Sequence, residues 1–285
     1  MTTTTIKTEP GMRAEADEFG TNYFRDDHCD KHGWFENRAY ALNRLVATGK
    51  PLRWIDCPQC NAVRKAEQER REREQEQQRQ LETRITRAGI PYRFSGATLD
   101  SYTTTNAGQQ CALEVAKGYT DDFQSTWDWG QSLLLLGNIG TGKTHIAVGI
   151  AHRAMEQGFP ALFTTAADML GKVKATWGQR GGDSEVQVIE RFANVALLII
   201  DEVGSIKCSG REREILFAIL NSRHNAELPT VFTANLMPDE LPSYLGDQIV
   251  SRLRESGSQS VIFGWDDYRP IKAKQAMANR SVTSD

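Results

Sequence analysis

The chain has 285 residues, of which 25% are charged and 39% hydrophobic, with a net charge of −3 at neutral pH. This size fits one medium domain with extensions or two small domains, and the weak negative charge excludes a uniformly basic nucleic-acid-binding protein. No apolar run could span a membrane, the polar start is no signal peptide, and five cysteines suggest no disulfide framework, so we expect a cytoplasmic protein without a membrane partner.

The first 62 residues divide into a polar tail and a segment rich in cysteine. Residues 1–20 lack hydrophobic periodicity, which predicts a disordered tail. Residues 21–62 have few large apolar side chains, and so small a unit usually needs a metal to fold. Two short C-x-x-C/H knuckles offer a closed tetrahedral Zn²⁺ site with four ligands: Cys29, His32, Cys57 and Cys60. His28 is an alternative to His32, with poorer spacing.

A charge-dense linker is predicted over residues 63–90. Its residues are strong helix formers, and many oppositely charged pairs fall four residues apart. No apolar stripe repeats at heptad spacing, so a coiled coil is not supported. The segment Ala88-Gly89-Ile90-Pro91 should end the helix. The pattern favours a solvated helical linker between two modules.

Strands and helices alternate from residue 91 to about 270, which predicts an α/β domain with a mainly parallel sheet covered on both faces. The predicted strands are 131–137, 161–165, 195–201, 230–235 and 259–263. The predicted helices include 143–157, 185–194 and 212–225. Residues 271–285 are expected to form a flexible tail.

A phosphate-binding loop follows the first predicted strand. It fits the pattern G-x-x-x-x-G-K-[ST] through Gly137, Asn138, Ile139, Gly140, Thr141, Gly142, Lys143 and Thr144. Glycines let the backbone N–H groups curl around a phosphate, and the next helix adds its positive end. Lys143 can reach the β- and γ-phosphates of ATP, and Thr144 can ligate Mg²⁺. A chance glycine turn is the alternative, which the strand–loop–helix order disfavours.

The continuous apolar run 195–200 is typical of a strand covered on both faces, and two acids follow it. Asp201 is expected to hold the Mg²⁺ shell, and Glu202 to orient or deprotonate the attacking water. Two solvated loop acids are the alternative. Together with the phosphate loop, this pair predicts a nucleotide hydrolase.

Two further polar residues lie where a hydrolase could use them. Asn235 ends a predicted strand and could touch the γ-phosphate or its water, unless it only closes the strand into a turn. Arg252 lies near the end of a predicted helix over 246–253. It could reach a neighbouring subunit's nucleotide, or be an ordinary surface arginine.

The segments that carry a family resemblance are AGIPYRFSGATLDSY (88–102), GNIGTGKTHIA (137–147), LLIIDEVG (197–204), FTAN (232–235), SRL (251–253) and VIFGWDDYR (261–269). On these, the chain resembles the DnaC family of replicative helicase loaders, which is similar to the IstB transposition helpers. The resemblance implies an AAA+ P-loop core with a five-stranded parallel sheet in the order 5-1-4-3-2 and self-association through that core. It casts Asn235 as sensor 1, Arg252 as arginine finger and Arg269 as a sensor-2-like contact.

The resemblance also implies partners: a hexameric replicative helicase, gripped by the N-terminal module, and single-stranded DNA. Candidate DNA contacts follow the second strand of the core: Lys172, Lys174, Trp177 and Arg180. A plain amphipathic helix with a core tryptophan is an equal alternative there. We expect an ATP- and Mg²⁺-dependent helicase loader of a bacterium or phage. The alternatives are an IstB-like transposition helper and a nucleotide-gated adaptor without functional hydrolysis.

Overall fold

The computed structural model describes residues 12–16, 20–42, 54, 56–178, 182–205, 208–255 and 257–270. The chain divides into two compact units, with the boundary between Gln78 and Arg79. Within the described ranges, no helix combines the length and the apolar character that a membrane crossing requires.

The first unit is built on an antiparallel sheet of three strands in the order β1-β2-β3. These strands are β1 (Arg13–Ala16), β2 (Gly20–Cys29) and β3 (Gly33–Leu42). β2 and β3 form a hairpin in which Cys29 pairs with Gly33 next to the turn. Tyr23 and Ala39 are buried on one face, where Met12 and Trp54 pack against them. This core is small, as the sparse apolar content of the segment predicts.

Strand β1 corrects the prediction of a disordered tail over residues 1–20. Its ladder with β2 runs from Arg13 opposite Phe24 to Ala16 opposite Thr21. The Arg13 guanidinium lies 4.7 Å from the centroid of the Phe24 ring. The pairing with β2 and the contact between Arg13 and Phe24 stabilise β1 as a strand although its residues are mostly polar. The hydrophobicity of a segment is only a weak guide to whether it forms a strand. The predicted tails over residues 1–11, 17–19 and 271–285 lie outside the described residues.

The charge-dense segment forms helix α1 (Pro58–Arg87), which has no buried residue along its 30 residues. Ion pairs at i,i+4 spacing line it, for example Lys65 with Glu69. The predicted helix is therefore confirmed, but it begins earlier than residue 63 and includes Cys60 in its first turn. It ends before Gly89, whose φ of 71° suits a glycine after a helix.

The second unit contains a five-stranded parallel sheet in the order β5-β6-β7-β4-β8. Its strands are β4 (Leu133–Gly137), β5 (Ala161–Thr165), β6 (Leu197–Val203), β7 (Thr230–Ala234) and β8 (Gln259–Phe263). If β4 to β8 are numbered 1 to 5, the order across the sheet, starting from β8, is 5-1-4-3-2. The predicted α/β class and strand order are confirmed.

Helices cover both faces of this sheet. They are α2 (Ala107–Asp121), α3 (Phe123–Asp128), α4 (Lys143–Glu156), α5 (Ala166–Lys174), α6 (Glu185–Ala193), α7 (Gly210–Asn225), α8 (Leu241–Leu245) and α9 (Asp247–Glu255). Along β4, Leu133 and Leu135 belong to the core that contains α2 and α4, and Leu134 and Leu136 to the core that contains α5 to α9. This alternation explains why β4, which is buried at every position, is apolar throughout.

A buried arginine joins three elements on one side of the sheet. Arg223, on α7, is 1% exposed, and its Nε donates to Thr230 Oγ1 at 2.9 Å. Its terminal nitrogens donate to the carbonyls of Phe192, Ala193, Val195 and Pro229. Burial lowers the pKa of Arg223 to about 9. The side chain therefore ties the end of α6 to the starts of β6 and β7.

Replacing Arg223 by methionine should lower the free energy of unfolding by about 3 kcal/mol or more, because several buried carbonyls lose their donor. Urea unfolding of the full chain measures this change. Arg153→Met is the matched control, since Arg153 forms only a half-exposed pair with Glu156 at 3.7 Å and should cost less than about 1 kcal/mol. Equal losses in the two variants would contradict a structural role for Arg223.

Candidate nucleotide-binding site and metal centre

The phosphate loop joins β4 to α4, and the side chain of Lys143 lies against the backbone of this loop. Lys143 is buried, and its Nζ donates to the carbonyl of Gly137 at 2.9 Å and to that of Asn138. Burial lowers the pKa of Lys143 to about 8, and the nearby charge of Asp201 opposes this shift. The lysine thus stays largely charged at neutral pH, beside the positive N-terminal end of α4. This arrangement suits a polyphosphate.

The predicted magnesium ligands lie next to each other. Thr144 Oγ1 donates to Asp201 Oδ1 at 3.0 Å, and the Thr233 hydroxyl donates to the same oxygen. Asp201 is 2% exposed, and burial raises its pKa while the two hydroxyl bonds lower it. The carboxyl ends of parallel strands meet at one edge of the sheet, which brings these oxygens together. Hydroxyl and carboxylate oxygens are ligands that Mg²⁺ accepts.

Glu202 sits in a β-bulge that was not predicted. Ile200 pairs with Phe232 and Val203 with Ala234, so β6 carries one extra residue against β7. Glu202 has a φ of 57°, rare for a residue with a side chain, and its side chain is exposed. Its backbone N–H donates to Thr233 Oγ1 at 3.0 Å, in place of a regular ladder bond. Strain of this kind clusters at functional sites.

The structure also brings Asn235 and Arg269 towards the loop. Asn235 directly follows β7, is exposed, and lines one cleft with Gly137, Asn138 and Ile139. Arg269 is exposed, and its positive charge adds to the effect of burial in lowering the pKa of Lys143. Both residues therefore lie near the predicted phosphate position, although their roles remain predictions.

Arg252 does not join this site within one chain. Its guanidinium lies 5.1 Å from the centroid of the Phe217 ring. It lines a cavity with Ser132 and Thr230, at the amino ends of β4 and β7. The phosphate loop follows the carboxyl end of β4. The cavity at Arg252 and the phosphate loop therefore lie at opposite ends of the parallel strands. A contact with a nucleotide bound by another subunit remains a prediction.

Four ligand atoms converge in the first unit. Those of Cys29, His32, Cys57 and Cys60 all lie within 4.8 Å of one another. His32 Nδ1 lies 3.6, 3.5 and 3.4 Å from the sulfurs of Cys29, Cys57 and Cys60. The sulfurs of Cys29 and Cys60 are 3.7 Å apart. A tetrahedral zinc ion holds such atoms about 3.5–3.8 Å apart, so the cluster fits Zn²⁺.

Local structure explains how the two knuckles form. Cys29 is the last residue of β2 and His32 lies in the turn that follows; the backbone N–H of His32 donates to the Cys29 carbonyl at 3.2 Å. Cys57 lies directly before α1, and Cys60 lies in the first turn of that helix. The backbone N–H of Lys31 lowers the pKa of Cys29 to about 6, towards the thiolate that zinc binds. His28 lies outside the cluster, with its ring 5.2 Å from that of Trp34, so His32 is the histidine brought to the cysteines.

Two of the candidate DNA contacts, Lys174 and Trp177, have acidic partners. Lys174 Nζ lies 2.7 Å from Glu212 Oε1, and Trp177 Nε1 donates to Glu185 at 2.7 Å. The Trp177 residue is 46% exposed, which does not fit a core tryptophan. Lys172 Nζ lies 5.9 Å from the centroid of a neighbouring phenylalanine ring. Arg180 lies outside the described residues. DNA binding here remains a prediction.

Comparison with known proteins identifies the group to which the chain belongs. The family described as IstB-like ATP binding protein matches residues 61–253. The chain belongs to the IstB-like ATP-binding family. The replicative helicase loader DnaC of Escherichia coli K12 is 33% identical over 208 residues, which span 73% of this chain and 82% of DnaC.

Solved structures agree with this family assignment. The crystal structure of the DnaC helicase loader superposes with a TM-score of 0.55 at 26% identity, covering 60% of this chain and 99% of that one. AMPPCP-bound DnaA from Aquifex aeolicus matches with a TM-score of 0.52 at 23% identity, covering 64% and 56%, and shows the shared fold alone. This IstB-like chain is therefore a DnaC-like, ATP-binding protein with an AAA+ fold.

The IstB-like match also separates the two candidate sites. It begins at residue 61, directly after Cys60, so the four clustered ligands precede the matched segment. The phosphate loop and Asp201 lie inside it.

Three side chains that bond to the nucleotide site were not predicted from the sequence: Thr233, Tyr102 and Trp265. Each lies within a segment that carries the family resemblance, which was the available signal.

Proposed function

We propose that this chain is a cytoplasmic, ATP-dependent loader that places a hexameric replicative helicase on single-stranded DNA. The proposal of ATP hydrolysis is supported mainly by the hydrogen bond of 3.0 Å from Thr144 Oγ1 to Asp201 Oδ1, next to Lys143. The loader part is supported by the relation to DnaC, whose name describes it as a replicative helicase loader.

The residues of the site divide the work of hydrolysis. Lys143 binds the β- and γ-phosphates, while Thr144 and Asp201 hold Mg²⁺, which when bound neutralises phosphate charge as a Lewis acid. The exposed carboxylate of Glu202 orients the attacking water and accepts its proton, and Asn235 helps to orient that water. Arg252 of a second copy of this chain stabilises the developing charge on the phosphate.

The N-terminal module serves as the partner contact in this proposal. Its four-ligand cluster leaves no open position on a tetrahedral zinc, so the ion has a structural role. The module then holds the helicase, while the ATPase core assembles with further copies and contacts single-stranded DNA near Trp177.

Native mass spectrometry of the full chain with its host's replicative helicase tests the proposal. With ATP and Mg²⁺, we expect several copies of this chain on each hexamer and transfer of the helicase onto single-stranded DNA. Glu202→Gln should form the complex but release it slowly, because only hydrolysis is blocked. Unchanged release would indicate a nucleotide-gated adaptor.

A transposition helper is the second candidate, because the matching family takes its description from IstB. Absence of a helicase complex under every nucleotide condition would overturn the loader proposal. An ATP-dependent complex with a DNA-bound transposase would then support this second function.

A further inference from the structure

The direction of each phosphate-loop amide depends on the carbonyl in the same peptide group. All described peptide bonds are trans, so each C=O points away from the N–H of the next residue. A peptide group whose N–H faces a phosphate therefore needs its carbonyl held on the outer side of the loop. In this chain, the carbonyls of Gly140 and Thr141 accept hydrogen bonds from residues that are distant in sequence.

Three donors hold these carbonyls. The Gly140 carbonyl accepts from the backbone N–H of Tyr268 at 3.0 Å. The Thr141 carbonyl accepts from Trp265 Nε1 at 2.9 Å and from Tyr102 Oη at 3.2 Å. The peptide groups that carry the N–H of Thr141 and of Gly142 are thereby oriented from outside the loop.

The donors are themselves held in place. The Trp265 ring lies 4.7 Å from that of Phe263, and the Tyr102 ring lies 5.4 Å from that of His145, both measured between centroids. Burial raises the pKa of Tyr102 to about 12, so its hydroxyl keeps the proton that it donates. Ordered aromatic donors lose little conformational freedom when they hold a carbonyl.

Two glycines allow the donors to come this close. A Cβ at Gly142 would lie 2.7 Å from Tyr102 Cε2, and one at Gly140 would clash with the Asp267 carboxylate. Both glycines also have positive φ values, of 98° and 73°. The loop is therefore shaped to fit the tyrosine on one side and the segment after β8 on the other.

We infer that Tyr102 and Trp265 are positioning residues for nucleotide binding: by holding the Thr141 carbonyl, they direct the Gly142 amide towards the phosphates. This inference rests on the proposed ATP-binding role of the loop. Neither side chain takes part in the chemistry. Because the loop cradles phosphates present in both nucleotides, ADP and ATP should depend on the two donors equally.

Calorimetric titration of the full chain with ADP and with a non-hydrolysable ATP analogue tests this inference. Tyr102→Phe and Trp265→Phe each remove one hydrogen bond and should weaken both nucleotides about fivefold. The double variant should lose more than the product of the single effects, because each single variant still keeps one donor on the shared carbonyl. The melting temperature without nucleotide should match that of the controls Tyr92→Phe and Trp129→Phe, since these two residues are 93% and 78% exposed.

The outcomes are distinct. If the unchanged chain binds neither nucleotide, the proposed function fails. If it binds both and the variants bind them equally well, only the positioning role is overturned. Weakened binding together with a lower melting temperature without nucleotide would overturn it in favour of a general structural role. If the double variant does not fold, the single variants test the positioning role: each should bind nucleotide about fivefold more weakly than its control.

Discussion

Lys143→Ala is expected to lower the rate of ATP hydrolysis by at least about 100-fold, because the loop loses the positive charge that faces the phosphates. The side chain is buried inside the loop, where no other lysine among the described residues donates to the Gly137 carbonyl. Phosphate release by the full chain at saturating Mg²⁺ measures the effect, with nucleotide affinity determined in parallel.

Lys117→Ala is the matched control for this variant. Lys117 lies on α2 in the same unit and forms only a surface ion pair with Asp100 at 3.5 Å. Its loss should leave hydrolysis within about twofold of the original rate, since such exposed pairs contribute little. Hydrolysis that survives in Lys143→Ala and is absent from Glu202→Gln would show that the lysine is dispensable and contradict the site as described.

Removal of zinc is expected to unfold the first unit and abolish helicase binding. Apart from Cys57, itself a candidate metal ligand, the buried apolar residues of that unit among the described residues are Tyr23 and Ala39, and so small a core usually needs a metal to fold. The original chain should contain about one zinc per molecule, and Cys60→Ser should contain none, because a structural site needs all four ligands. Elemental analysis measures the metal, and near-ultraviolet circular dichroism follows the loss of packing around the aromatic rings.

Cys111→Ser serves as the control, since Cys111 is an exposed cysteine of the second unit. It should keep both the zinc and the helicase complex. ATP binding should persist in Cys60→Ser, because the phosphate loop lies in the other unit. A folded, metal-free first unit that still binds helicase would contradict the zinc assignment.

The nucleotide site was partly predictable because its main residues are close neighbours in sequence. The loop from Gly137 to Thr144 needs a fixed order of glycines, lysine and hydroxyl over eight positions, and such an order is visible without coordinates. The same holds for Asp201 at the end of an apolar run. Knowledge of the α/β alternation then indicates that both lie at one edge of a parallel sheet.

The metal cluster was predictable for a similar reason, and its surroundings were not. Each knuckle is a pair of ligands three residues apart, so Cys29 with His32 and Cys57 with Cys60 could be chosen from spacing. Strand β1 could not be predicted from the sequence, because its formation depends on the ladder with β2 and on the contact between Arg13 and Phe24.

By itself, the sequence determined the fold class, the phosphate loop, the acidic pair and the four clustered cysteine and histidine residues, because local spacing encodes each of them. Tertiary structure alone decided which distant groups complete the site. Trp265 bonds to Thr141 across 124 positions, Thr233 joins Asp201 from the neighbouring strand, and the bulge at Glu202 arises from strand pairing. Such contacts depend on how strands lie beside one another, and no local pattern of residues records that arrangement.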